Sequence, residues 1–209
     1  MSIAKDGLKF ILPSLALAVV FWALGWWPPC VLFLVLAAAF AFFFRDPRRT
    51  PPEGEHLLVS PADGRVLAVE EVPSHPELTG PARRVTVFLS LLDVHLIRSP
   101  LAATVAKMEY RPGKFLRADR PEAGEVNESN TLVLRGAWFS LVMKESVGVA
   151  ARRIKSFVKT GQAVSRGEKV GLMYFGSRVE LTLPAEASVR VGPGQKVRAG
   201  ESVIAEAKP

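Results

Sequence analysis

Two stretches without a charged residue, Phe10 to Trp27 and Cys30 to Phe44, limit what the first 44 residues of this chain can become. As helices rising ~1.5 Å per residue they reach roughly 22–27 Å, a little short of a ~30 Å hydrocarbon core. Local thinning of a bilayer accommodates that length, and so does a re-entrant hairpin that dips in and returns. Pro28-Pro29 separates the two runs. A cleaved signal peptide fits poorly, because no small-residue cleavage site precedes a polar start and a second apolar run comes directly after. Lys5 and Lys9 flank one side of the pair, and Arg45, Arg48 and Arg49 flank the other. Positive charge at both ends fits a hairpin at the cell membrane whose two ends are cytoplasmic. Trp22, Trp26 and Trp27 suit an interfacial or turn position.

The pattern changes after this 1–44 hairpin. Residues 45–59 read as a linker, kept irregular by Pro51-Pro52 and Gly54. Residues 60–209 then alternate short β-branched runs with Gly and Pro. Arg65 to Val72, Arg83 to Leu91, Thr104 to Tyr110, Thr131 to Arg135, Phe139 to Lys144 and Val179 to Leu183 are the strand candidates. No long helical period appears after residue 45, so this part is expected to be mainly β, a compact barrel or sandwich. The form G-Q-x-V-x-x-G-E-x-V occurs twice, at Gly161 to Val170 and at Gly194 to Val203. Two copies do not make a solenoid. The punctuation resembles the hammerhead turns of biotinyl and lipoyl domains, which carry a cofactor on a hairpin lysine. Lys144 is the one position suggesting such a carrier, and a membrane-anchored β adaptor is the non-enzymatic alternative.

Charge and cysteine usage remove other classes. A net charge of +7 is compatible with an anionic membrane or an acidic substrate. No Lys/Arg run interleaved with aromatics suggests a nucleic-acid groove. Cys30 is the only cysteine, which excludes an intrachain disulfide and a cysteine-based zinc site. His56, His75 and His95 lack the close pairing of metal ligands, so no metal is expected.

Three short segments beside apolar runs carry chemistry. Phe175-Gly176-Ser177-Arg178-Val179 offers a hydroxyl nucleophile, Leu92-Asp93-Val94-His95 a proton-transfer base, and Ser60-Pro61-Ala62-Asp63-Gly64 a carboxylate. Ser177 needs a base within hydrogen-bond reach. His95 is the leading one, since His56 falls in the linker and His75 in the Pro73 to Pro81 loop. Asp93 is a rival carboxylate that would share a face with His95 in a strand. A serine hydrolase lacks its Gly-x-Ser-x-Gly elbow here.

These pieces, with Arg45-Asp46-Pro47 and Arg98-Ser99-Pro100, resemble the phosphatidylserine decarboxylases, specifically their short, archaeal-type form. The resemblance runs from about residue 45 to about residue 184. It implies a proenzyme that cleaves itself between Gly176 and Ser177 into a large chain, 1–176, and a small chain, 177–209. Ser177 would become a pyruvoyl cofactor that forms a Schiff base with the amine of phosphatidylserine, giving phosphatidylethanolamine and carbon dioxide. The resemblance also implies that His95 is the base and that Asp63 orients it. Longer members carry a second histidine at the position of Arg98, which stays protonated and is instead a candidate for binding the lipid headgroup. Asn127-Glu128-Ser129-Asn130 resembles an Asn-Glu-Arg-Asn stretch of the family. Membrane lipids and the two product chains are the expected partners, and a homo-oligomer is compatible with all of this.

Overall fold

The computed structural model describes residues 2–120, 122–138, 140–149, 153–174 and 177–207. The chain forms two compact units, Met1–Arg48 and Arg49–Pro209.

In the first unit α1 (Leu8–Ala23) and α2 (Trp27–Phe43) run antiparallel. Phe10 packs on Phe40 and Phe21 on Phe33, with ring centroids 5.2 and 5.6 Å apart. The chain reverses at Leu24 to Trp26, where Gly25 takes φ 75°. The turn therefore precedes Pro28-Pro29. Both prolines sit in the first turn of α2, where a missing N–H costs nothing because it would have no helical partner. Pro13 is carried inside α1. Strands β1 (Ser2–Ile3) and β2 (Arg45–Asp46) pair and bring the two ends of the hairpin together. The helix from Lys5 to Ala23 is long and apolar enough to cross a membrane, whereas Trp27–Phe43 is shorter. Leu12, Val19, Val20, Trp22, Val35 and other large apolar side chains of the pair are exposed.

The second unit is mostly β. Its strands are β3 (Leu57–Val59), β4 (Gly64–Val72), β5 (Ala82–Leu89), β6 (Leu96–Arg98) and β7 (Ala103–Arg111), then β8 (Ser129–Arg135) and β9 (Ser140–Val147) after a single helical turn, α3 (Ala123–Val126). Next come β10 (Ile154–Ser156), β11 (Ala163–Val164), β12 (Lys169–Met173), β13 (Ser177–Pro184), β14 (Ser188–Val189), β15 (Lys196–Val197) and β16 (Val203–Glu206). Eight form one antiparallel sheet in the order β11-β7-β8-β9-β13-β5-β4-β15. Two three-stranded sheets, β10-β12-β6 and β14-β16-β3, contribute to the same core. Val85, Val87, Leu132, Met143, Val179 and Leu181 from the large sheet meet Ile97, Met173, Leu58 and Ile204 from the small ones. All six strand candidates fall on strands, with ends shifted by a few residues; Phe139, the expected start of one, lies outside the described residues.

The repeated G-Q-x-V segments place β11 and β15 at the two edges of the large sheet. In each copy the valine, Val164 or Val197, is buried and the glycines take positive φ. The symmetry extends further than the repeat. The Ser60 hydroxyl donates to the Ala62 carbonyl and the Ser99 hydroxyl to that of Leu101, both at 2.7 Å. Gly200 N–H donates to the Ser60 carbonyl (2.9 Å), and Gly167 N–H to that of Ser99 (2.8 Å). Each Ser-Pro turn leads into a long strand bulged after its first residues, β4 at Val66/Ala68 and β7 at Val105/Lys107. Two related halves thus cross at the Ser-Pro turns. Only the first turn continues into Asp63-Gly64. Gly64 has φ 153°, and a Cβ there would lie 2.0 Å from the Phe88 carbonyl oxygen, so only glycine lets β4 meet β5.

Candidate active site

Ser177 opens β13, the strand between β5 and β9, and stands opposite Leu89 on one side and Val147 on the other. Strand alternation turns Ser177, Val179 and Leu181 toward the core and Arg178, Glu180 and Thr182 away from it. The Ser177 hydroxyl is fully buried and has no hydrogen-bond partner among the described residues. A buried hydroxyl without a partner costs about 1–3 kcal/mol, and Ser177 shares that state with the Thr86 and Ser146 hydroxyls of the same sheet; Ser177 alone of the three faces the core beside Val179 and follows a glycine. Gly176, the other half of the expected cleavage site, lies outside the described residues, as does Phe175.

His95 immediately precedes β6 and is 1% exposed. Its carbonyl accepts from Met173 N–H at 3.0 Å, four residues before Ser177. Four residues reach at most ~14 Å, so β12 delivers Ser177 to the neighbourhood of His95. The ring Nδ1 lies 3.0 Å from the Asp93 carbonyl oxygen. A carbonyl only accepts, so Nδ1 carries the proton and the lone pair of the neutral ring is on Nε2. Asp93 lies in a turn and not in a strand. Its carboxylate caps that turn, accepting from the Ser90 N–H (2.8 Å) and hydroxyl (2.6 Å). Its carbonyl, not its carboxylate, is thus the Asp93 group that contacts the histidine ring. His56 is exposed, and His75 is held in a turn where its Nδ1 accepts from Glu77 N–H at 3.2 Å.

Asp63 is buried after the first Ser-Pro turn. One oxygen accepts from Ala199 N–H and the other from the Arg49 guanidinium, both at 2.7 Å. Arg49 also bridges Glu201 at 2.7 Å. Arg49 read in the sequence as a charge flanking the hairpin; its side chain is instead nine-tenths buried in this ion pair. Arg98 is buried as well and donates to the Gly167 carbonyl at 2.8 Å, while its own N–H bonds the Pro61 carbonyl. The structure therefore places Asp63 beside Arg49 and on the Arg98 side of β6, three residues along from His95.

Two further groups belong to this end of the sheet. Asn127 accepts from Leu116 N–H (2.9 Å) and donates to the carbonyls of Leu116 (2.8 Å) and Val147 (2.7 Å). Glu145 faces the core opposite Val179, one inward position from Val147, and so lies diagonally across from Ser177. Asn130 donates to one of its oxygens at 3.2 Å, and the other is buried without a partner among the described residues. Burial pushes this carboxyl up to about 7, against the lowering effect of Asn130. Gly171 makes room for it, since a Cβ there would stand 3.2 Å from the unpartnered oxygen. Sequence reasoning missed Glu145, although Leu141, Met143 and Val147 share its inward alternation.

Lys144, the carrier candidate, is in mid-strand and not at a hairpin tip. Its ammonium donates to the Gly124 carbonyl at 2.5 Å, and burial lowers its pKa. A lysine held this way cannot swing a cofactor between sites, and the adaptor alternative loses its support.

A family model described as phosphatidylserine decarboxylase matches residues 36–205. Curated relatives described as phosphatidylserine decarboxylase proenzyme include one from Novosphingobium aromaticivorans, 42% identical over 97% of this chain and 84% of the relative. Another, from Syntrophus aciditrophicus, is 40% identical over 97% of this chain and 96% of its own length. A third, from Carboxydothermus hydrogenoformans, is 39% identical over 98% and 96%.

Proposed function

This chain belongs to the phosphatidylserine decarboxylase family, and we propose that it decarboxylates phosphatidylserine to phosphatidylethanolamine after cutting itself between Gly176 and Ser177. The observation that carries this reading is the buried, unpartnered Ser177 hydroxyl at the head of the central strand. In maturation the Ser177 oxygen attacks the Gly176 carbonyl and takes over its acyl group as an ester. His95 Nε2 is the base for the hydroxyl proton, being the ring nitrogen that the Asp93 contact leaves unprotonated. Elimination then frees the carboxylate of Gly176, and water replaces the nitrogen of residue 177 with oxygen, releasing ammonia. The result is a 1–176 chain and a 177–209 chain headed by a pyruvoyl group.

The buried position of Ser177 fits such a group, because nothing among the described residues claims the oxygen. The pyruvoyl ketone supplies an electron sink for the bond that loses carbon dioxide. The chain's own residues do the rest. Leu89, Val147 and Val179 surround position 177 with apolar side chains that exclude water. His95 returns a proton to the carbon that has lost carbon dioxide. Asp63, fixed by Arg49 and Ala199 on the Arg98 side of β6, is the carboxylate we assign to support the imidazolium. Arg98, held by the Gly167 carbonyl, is the cation we assign to the anionic part of the headgroup. The exposed apolar hairpin anchors the chain in the cell membrane, with the catalytic unit on the cytoplasmic side. Ser177→Ala tests the core of the reading: it leaves the fold and abolishes release of carbon dioxide from phosphatidylserine, and retained turnover would refute it.

A further inference from the structure

The strands flanking Ser177 end together, and the chain beyond both of them is unusually apolar for a surface facing water. Beyond Leu89 the chain enters the turn Ser90 to Asp93, tied by the Asp93 carboxylate. That turn presents Leu91 and Leu92 at 53% and 71% exposure, directly before the residue that contacts the His95 ring. Beyond Val147, Val149 is 55% exposed. Asn127 pins the loop holding Phe115 to the Val147 carbonyl, so Phe115, also exposed, gathers at this same sheet end. Single exposed apolar residues are ordinary, but four converging around one buried site are not. Lys114 beside Phe115 is exposed, and so is Arg153, whose carbonyl accepts from Tyr174 N–H near Ser177.

We propose that this rim is a second membrane contact, distinct from the N-terminal hairpin. Leu91, Leu92, Phe115 and Val149 enter the boundary between headgroups and acyl chains of an anionic bilayer. Lys114 and Arg153 meet the lipid phosphates. The inference rests on the lipid substrate proposed above. A diacyl lipid keeps its tails in the bilayer, while Ser177 and His95 are almost wholly buried, so the headgroup must enter through a mouth pressed against the membrane. Apolar side chains ringed by cations are what such an interface binds. The hairpin keeps the enzyme on the membrane; the rim points its site at the surface.

The test uses the full-length protein with its hairpin intact. Vesicles of phosphatidylcholine and phosphatidylglycerol carry long-chain phosphatidylserine, and short-chain phosphatidylserine is assayed separately as a soluble substrate. Leu92→Gln is expected to lower the ratio of vesicle to soluble turnover about tenfold, as befits one leucine withdrawn from an apolar phase. Leu91→Gln combined with Val149→Gln lowers the ratio at least as far. An unchanged ratio overturns the proposal. A direct probe is a fluorophore on Leu92→Cys in a Cys30→Ser background, which lipids brominated along their acyl chains should quench. Absence of quenching overturns the proposal. So does a rim that instead joins two copies of the chain, seen as protein-concentration-dependent emission without lipid. Failure of the underlying reading would look different, because unsubstituted protein would then turn over neither substrate while quenching could still be measured.

Discussion

Glu145→Gln is expected to remove a pH dependence of stability that the native chain has. Burial raises the Glu145 carboxyl from 4.5 to about 7, since no cation among the described residues compensates a charge there and Asn130 offers only one amide bond. The folded state therefore holds the proton more tightly than the unfolded chain. The stability this contributes is fully present below about pH 4.5 and is lost as pH rises through about 7. At 1.36 kcal/mol per unit, the loss amounts to about 3 kcal/mol once the group is ionised. Glutamine keeps the shape and the bond to Asn130 and never ionises. The two proteins should be equally stable near pH 5 to within about 1 kcal/mol, with the variant ahead by about 2–3 kcal/mol near pH 8. Urea unfolding followed by far-ultraviolet circular dichroism measures this, in a Ser177→Ala background so that one uncut chain unfolds. The reasoning is refuted if both proteins lose the same stability between those pH values, because Glu145 would then be charged or solvated in the fold.

Two further outcomes concern the site. His95→Ala should stop self-cleavage or slow it by at least about a hundredfold, the usual contribution of a positioned base, while His56→Ala and His75→Ala mature normally; fragment appearance on denaturing gels decides between them. Asp63→Asn should keep the fold but slow cleavage. Arg49→Met should do the same if the ion pair is what fixes Asp63, and normal maturation of both would remove Asp63 from the mechanism.

The β part of the fold was legible because its strands are short β-branched runs between glycines and prolines, and because the G-Q-x-V copies advertise their turns. The relation between the Ser60 and Ser99 turns was not legible. Its two copies share little beyond Ser-Pro, and the likeness resides in backbone bonds to Gly200 and Gly167. The exact place of the hairpin turn was not legible, because Pro28-Pro29 signals both a break and a helix start, and Gly25 decides between them. Ser177 and His95 were singled out from local motifs. Their setting was not, since it depends on long-range partners: Arg49 with Asp63, Asn127 with Val147, and Met173 with His95. Asp93 shows the limit of periodicity, as two-residue spacing to His95 implied a shared strand face where a turn carries a backbone contact.

Intact-mass analysis of the purified, unsubstituted protein tests the central claim most directly. The account expects two chains, one ending at Gly176 and one comprising residues 177–209, the second lighter than a serine-headed chain by the mass of ammonia and reactive toward a ketone reagent. A single chain of full mass after prolonged incubation, or a small chain that begins with an ordinary serine, would contradict it.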